Sequence, residues 1–255
     1  MAAASALAEK TRRLERIFLN VNGETNKNGI YAVNLYTLGV PHTVIVDDWL
    51  PLQEVTQEDG SKAYETLFAH ITEDQSMWNV ILEKAFAKLA GNYQHLVSGD
   101  PREATRTLTG APSLYFRHDR DDVDADFLWN QMLKHDMTDE MMFLNTHWDG
   151  LTLYDECGIQ MGHAYVALRA VELSNGARLM QMRNPWGSER YKCAYSDTSD
   201  LWTPELREEA GATETAVNEG IFFMTIEDYY NVGHSTIYSY DNQNWYHDYF
   251  LMLND

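Results

Sequence analysis

Cysteine is scarce in this chain, with two in 255 residues. Two sulfurs cannot build the framework that staples a small secreted domain. Cys157 and Cys193 are therefore expected as structural thiols in a reducing, intracellular, cytoplasmic setting. Basic residues are also few: 19 Lys and Arg stand against 39 Asp and Glu, for a net charge of −20 and a pI near 4.7. Such a surface repels nucleic acid and anionic membranes and leaves cationic partners or metal ions. No apolar run approaches the ~20 residues of a membrane span, and no basic region precedes the apolar stretch Met1 to Ala8, as a signal peptide would require. Gly-x-Gly-x-x-Gly, Walker and Cys-x-x-Cys patterns are absent, and His147, His234 and His247 show no metal-ligand spacing.

What is present is an ordinary globular share of hydrophobic residues, 44%, with 12% aromatics. Residues 2–18 read as one helix, apolar nearly all round over Ala2 to Ala8 and unbroken before Asn22-Gly23. Ile30 to Tyr36 and Thr43 to Val46 read as strands joined by a turn at Leu38 to Pro41. Trp78, Ile81, Leu82, Ala85, Phe86 and Leu89 follow helical spacing, capped from within Thr72 to Ser76 and ended at Gly91-Asn92. Gly99-Asp100-Pro101 and Thr109 to Pro112 are turn-rich and suggest a boundary near 110–115. Asp119 to Asp126 reads as a solvated acidic loop and Phe127 to Lys134 as a short helix. Strands are expected at Met141 to His147, Ala164 to Leu173, Ala177 to Arg183, Ile221 to Thr225, Ile237 to Tyr240 and Asp248 to Met252. Pro204 to Ala210 reads as a helix and Ile226 to Tyr230 as a helical turn. The pattern is helix-rich first and strand-rich second, an α+β arrangement with subdomains at 1–112 and 113–255.

Chemistry concentrates in Gly162-His163-Ala164-Tyr165 and Asn184-Pro185-Trp186-Gly187. A histidine and an asparagine on neighbouring strands can deprotonate and orient a thiol nucleophile. Asn175-Gly176 between them is a hairpin signal. A two-residue turn there places His163 opposite Ser188, ~13 Å along the strands from Asn184. A four-residue loop, Glu172 to Asn175, places His163 opposite Asn184. Both registers keep the pair on one face; direct contact needs the longer loop or a bulge. Trp186 is placed to shield the pair from water. A histidine alone on a strand is more often structural, but the two motifs together favour chemistry. The third member of such a triad, a cysteine at the head of a long helix, is absent.

These motifs, with Arg183 before and Ser196-Asp197 and Trp202 after, resemble the second half of a calpain protease core. Val44 to Pro51 is similar to that family's Val-Val-Val-Asp-Asp-Arg-Leu-Pro stretch. Trp78, Leu82 to Lys88 and Gly91-Asn92-Tyr93 are similar to its next helix, and Glu219 to Met224 to its late strand. The resemblance runs in order over most of residues 1–230. It implies a papain-like cysteine proteinase fold, with a helical first lobe truncated at its amino end and a β-rich, barrel-like second lobe. It also implies His163 as general base and Asn184 as its orienter.

The departures shape the expected function. Met1 to Leu7 looks like the run that follows the family's nucleophile, so the chain begins about three residues after the expected cysteine, and the upstream glutamine is lost with it. Aligned with the family's calcium ligands, carboxylate positions fall on Ser76, Arg190 and Ile221, and only Asp197 and Glu219 remain, so calcium binding is expected to be weak or absent. No other cofactor is expected. The resulting expectation is a peptidase-like domain without its nucleophile, a non-catalytic binding or structural subunit with protein partners, in a larger assembly. The alternative is a fragment or split form of an active endopeptidase acting on polypeptide substrates. A metal-dependent or transglutaminase-like enzyme using Cys157 is the remaining class. Transcript sequence ahead of Met1 separates the first two.

Overall fold

The computed structural model describes residues 1–21, 25–57, 59–71, 75–138, 140–148, 156–212 and 219–241. The expected breaker Asn22-Gly23, the capping residues Thr72 to Asp74, His247 and the strand Asp248 to Met252 lie outside them. The chain divides into two compact units, residues 1–9 with 111–246 and residues 10–110 with 247–255.

The unit of residues 10–110 is built around a hairpin. β1 (Ile30–Thr37) and β2 (Val40–Asp47) are joined by Leu38 and Gly39, both at positive φ, which gives the tight turn whose twist matches paired strands. Alternation along β1 turns Tyr31, Val33 and Leu35 inward. α2 (Thr11–Ile17) leads into Phe18, which bridges to Val33. α3 (Trp78–Ala90) packs on this hairpin through Val80, Ile81, Leu82, Ala85 and Ala87. Three elements here go beyond the sequence reading. β3 (Leu52–Thr56) and β4 (Lys62–Thr66) form a second hairpin. α4 (Pro101–Thr109) runs between the two turn-rich stretches, over residues to which the sequence reading assigns no element. Its signals were present: the Asp100 carboxylate accepts from Arg102 N–H, Pro101 opens the first turn, and Gly110 ends the helix at φ 71. The same residue types build turns, so the signature was ambiguous.

The other unit contains α1 (Ala2–Ala8), β5 (Ser113–Arg117), α5 (Ala125–Asp136), β6 (Met141–Thr146), β7 (Ala164–Glu172), β8 (Arg178–Arg183), α6 (Pro204–Ala210), β9 (Ile221–Thr225), α7 (Ile226–Val232) and β10 (Gly233–Ser239). Its strands form one six-stranded antiparallel sheet in the order β5-β10-β6-β7-β8-β9. Same-face pairs two residues apart supply the core: Met142 and Leu144, Tyr165 and Ala167, Met180 and Met182, Phe222 and Met224. Leu128, Trp129 and Met132 of α5 and Tyr229 of α7 pack onto them.

Two expectations are corrected. Among the described residues the sheet is open, with β5 and β9 at its edges, so the barrel-like description does not hold. The single helix over residues 2–18 is two, interrupted where Lys10 is extended (φ −131, ψ 108). No glycine or proline breaks it. α1 buries Ala2, Ala3, Ala6 and Leu7 within the unit of β6 and β7, while α2 buries Ile17 in the other unit, and packing overrides local propensity. Among the described residues no helix is long and apolar enough to cross a membrane.

Candidate active site

His163 immediately precedes β7, and Asn184 immediately follows β8. The β7–β8 loop has neither length foreseen. Leu173 N–H donates to Ala177 O (2.8 Å), leaving Ser174, Asn175 and Gly176 as a three-residue loop with Gly176 at φ 85. That loop pairs Glu172 with Arg178, a register that would put His163 and Asn184 on opposite faces of the sheet. A bulge then corrects it. Ala167 pairs with Met182 and Arg169 with Gln181, so Leu168 is the extra residue. Beyond it Val166 faces Arg183, and His163 and Asn184 return to one face.

They meet there. His163 Nε2 and Asn184 Oδ1 are 2.9 Å apart. The amide is oriented by its other bonds: Nδ2 donates to Ser188 O (2.7 Å), and Oδ1 also accepts from Trp186 N–H (3.1 Å). With the oxygen facing the ring, Nε2 must carry the proton, and Nδ1 keeps its lone pair. Among the described residues Nδ1 has no hydrogen-bond partner. Asn184 is only 6% exposed, which protects this contact. The Trp186 ring lies 4.2 Å from the imidazole between centroids, and Tyr165 meets it edge-on at 4.9 Å. The His163 backbone is held by one hydroxyl: Thr146 Oγ1 accepts from His163 N–H (3.0 Å) and lies within hydrogen-bonding reach of the carbonyls of His163 (3.1 Å) and Gln160 (2.8 Å). Thr146 was not singled out in the sequence, and nothing in its neighbourhood there marks it. Burial lowers the His163 pKa, and the Asn184 hydrogen bond opposes that shift. The ring is thus neutral near pH 7, with one nitrogen anchored and the other able to accept a proton.

The two sulfurs are elsewhere engaged. Cys157 and Cys193 form a disulfide, with Cα atoms 5.1 Å apart, which corrects their reading as free structural thiols. Lys192 N–H donates to Cys157 O (3.0 Å), and this backbone contact brings the two segments into bonding range.

Asp197 and Glu219 are the carboxylates considered for calcium, and Asp197 lies within electrostatic range of Glu189 and Glu219. Burial and these like charges raise the Asp197 pKa, and Arg207 opposes the shift. Asp197 O accepts from Arg207 Nη2 (2.6 Å), and Gly220 N–H donates to the Glu189 carboxylate. Among the described residues no group of three or more His, Cys, Asp or Glu side chains that could hold a metal ion is present.

An imidazole anchored at one nitrogen by a buried amide, with the second nitrogen open, has the form found in hydrolases that activate a nucleophile. Comparison with known proteins narrows this class. A model of the calpain family of cysteine proteases matches residues 1–236. The chain is 31% identical over 234 residues to the calpain-type cysteine protease ADL1 of Oryza sativa, covering 90% of this chain and 10% of that protein. It is 30% identical to Calpain-14 of Homo sapiens and 28% to the human Calpain-1 catalytic subunit, covering 32% and 31% of those proteins. The chain belongs to the calpain family of cysteine proteases. It spans a minor part of the length of each of these relatives.

Proposed function

We propose that residues 1–255 form a papain-like, calpain-type peptidase domain that engages polypeptides but does not cleave them by itself. In this reading His163 is the base, Asn184 its orienter and Trp186 the shield of their hydrogen bond. The subdomains we assign are residues 1–112 and 113–255, and calcium binds weakly or not at all. The observation that carries the reading is the pairing of Cys157 with Cys193 while the His163–Asn184 contact is fully made. A disulfide sulfur is not a thiolate, so while the bond stands no acyl-enzyme forms on these residues. The setting we assign is a reducing cytoplasm, where such a bond is transient. A thiol-reactive peptidyl inhibitor tests this. We expect no labelling that depends on His163, in oxidised or reduced chain. Stoichiometric labelling of Cys157 or Cys193, abolished by His163→Ala, would sink the reading.

A second reading has its own support. The tautomer of His163 is still set as a working base requires, with Nδ1 open. On that reading a thiol supplied by another segment or polypeptide completes an endopeptidase. An in-frame Gly-Asp-Cys-Trp coding run ahead of Met1, together with peptide hydrolysis by the extended chain, would favour it over the first.

A further inference from the structure

Cys157 and Cys193 flank the two segments that hold the base and its orienter. From Cys157 the chain runs through Gly158 and Ile159 to Gln160. Gln160 O receives the Thr146 hydroxyl that also clamps the His163 backbone, and Gln160 N–H donates to the Tyr165 hydroxyl (2.9 Å), whose ring packs against His163. From Cys193 the chain runs back to Ser188, whose carbonyl fixes the Asn184 amide. The strap between them is close-fitting: a Cβ on Gly158, which sits at φ 74, would lie 1.9 Å from Arg190 O. Cys157 is 3% exposed, whereas Cys193 is only partly buried, so one end of the bond is open to reagents.

We propose that the Cys157–Cys193 disulfide is a redox-controlled positioning staple for the His163–Asn184 pair, made in oxidising and released in reducing conditions. This deepens the reading of His163 as a base and rests on it. Release is a thiol–disulfide exchange. The thiolate of a small external thiol attacks the accessible Cys193 sulfur, the S–S bond breaks, and Cys157 leaves as a thiolate and takes a proton. A second external thiol attacks the mixed disulfide, freeing the Cys193 thiol and yielding the oxidised reagent. Two electrons pass from the external thiols to the protein disulfide. With the staple open, the segments 157–160 and 188–193 separate more readily, and the amide that selects the His163 tautomer loses its fixed position.

The test is histidine-selective 15N NMR on the full chain, with dithiothreitol as the reductant, after mass mapping of the Cys157–Cys193 link in the oxidised sample. In the oxidised chain His163 should favour the Nε2–H tautomer by about tenfold, the preference one hydrogen bond supplies. Reduction should cut that preference several-fold. Cys193→Ser should match the reduced state and ignore the reagent. His118, held at both ring nitrogens, is the internal reference and should not change. Absence of the link, an unchanged His163 tautomer on reduction, or parallel loss at His118 and His163 would each overturn the staple. If His163 shows no preferred tautomer even when oxidised, and Asn184→Ala changes nothing, the base reading falls and takes this inference with it. A fixed tautomer that ignores reduction removes the staple alone.

Discussion

His118 and His163 lie in the same unit and differ in how their second nitrogen is treated. His118 Nδ1 donates to Tyr230 O (2.9 Å), and its Nε2 accepts from Thr236 Oγ1 (2.8 Å). The Thr236 oxygen is in turn 2.9 Å from the Tyr229 hydroxyl, and the ring is 5% exposed. Every polar atom of that imidazole is in use, and burial lowers its pKa to about 4. Among the described residues, His163 has one nitrogen in use and one open. Burial of a histidine therefore does not distinguish a structural role from a chemical one; the lone pair left over does. Two core-facing histidines with similar tautomer control become a strut and a candidate base through one missing partner.

The largest test of this contrast is truncation. His118→Ala leaves the Tyr230 carbonyl and the Thr236 hydroxyl without partners beside a cavity, and we expect a loss of about 3 kcal/mol in urea unfolding. His163→Ala, at a half-buried site whose Nδ1 holds nothing, should cost about 1 kcal/mol or less. Equal losses at the two positions would erase the distinction. Acid provides the next test. Between pH ~6.5 and ~4 the unfolded chain protonates His118 and the folded chain resists, so stability falls as pH falls through that window. The shift to about 4 corresponds to about 3 kcal/mol by the lower end. Denaturant midpoints measured across the window should show this slope, and His118→Gln should flatten it. Parallel profiles for the two proteins would assign the acid sensitivity to another group.

The anchored side of His163 is tested by Asn184→Ala. The substitution removes three side-chain contacts, to His163, Ser188 and Trp186, from a buried site. We expect about 1–2 kcal/mol of destabilisation, together with loss of the single His163 tautomer in 15N spectra and no change at His118. A stable variant with an intact tautomer would show that the sheet rather than the amide orients the ring.

This contrast was half legible in the sequence. His163 and Asn184 stood out because their motifs are contiguous, and their neighbours in the motifs, Tyr165 and Trp186, became their neighbours in space. α6 and β9 lie where periodicity and turn residues placed them. His118 gave no signal, since its partners Tyr230 and Thr236 come from 112 and 118 residues away. The bulge at Leu168 was equally silent, because an extra residue in a strand carries no fixed side-chain signature, yet it decides which face His163 occupies. The disulfide could not be read from a separation of 36 residues, since only the backbone approach at Lys192 brings the sulfurs together.

The smallest expected effect concerns the open side of the site. Trp186 is 61% exposed, yet its ring lies against His163. Trp186→Ala removes one covering group and none of the Asn184 side-chain bonds, because the Trp186 contact to Oδ1 is made by the backbone N–H. Stability should fall by less than about 1 kcal/mol, as the ring is mostly in water already. The imidazole becomes better hydrated, and burial is the leading cause of its lowered pKa, so that pKa should move up toward the ordinary histidine range. The same substitution should leave His118 untouched. An NMR titration reads both histidines in one sample. If His163 does not move, or moves down, the indole is not what keeps water from the ring, and the shield must be sought in Tyr165, which meets the ring edge-on.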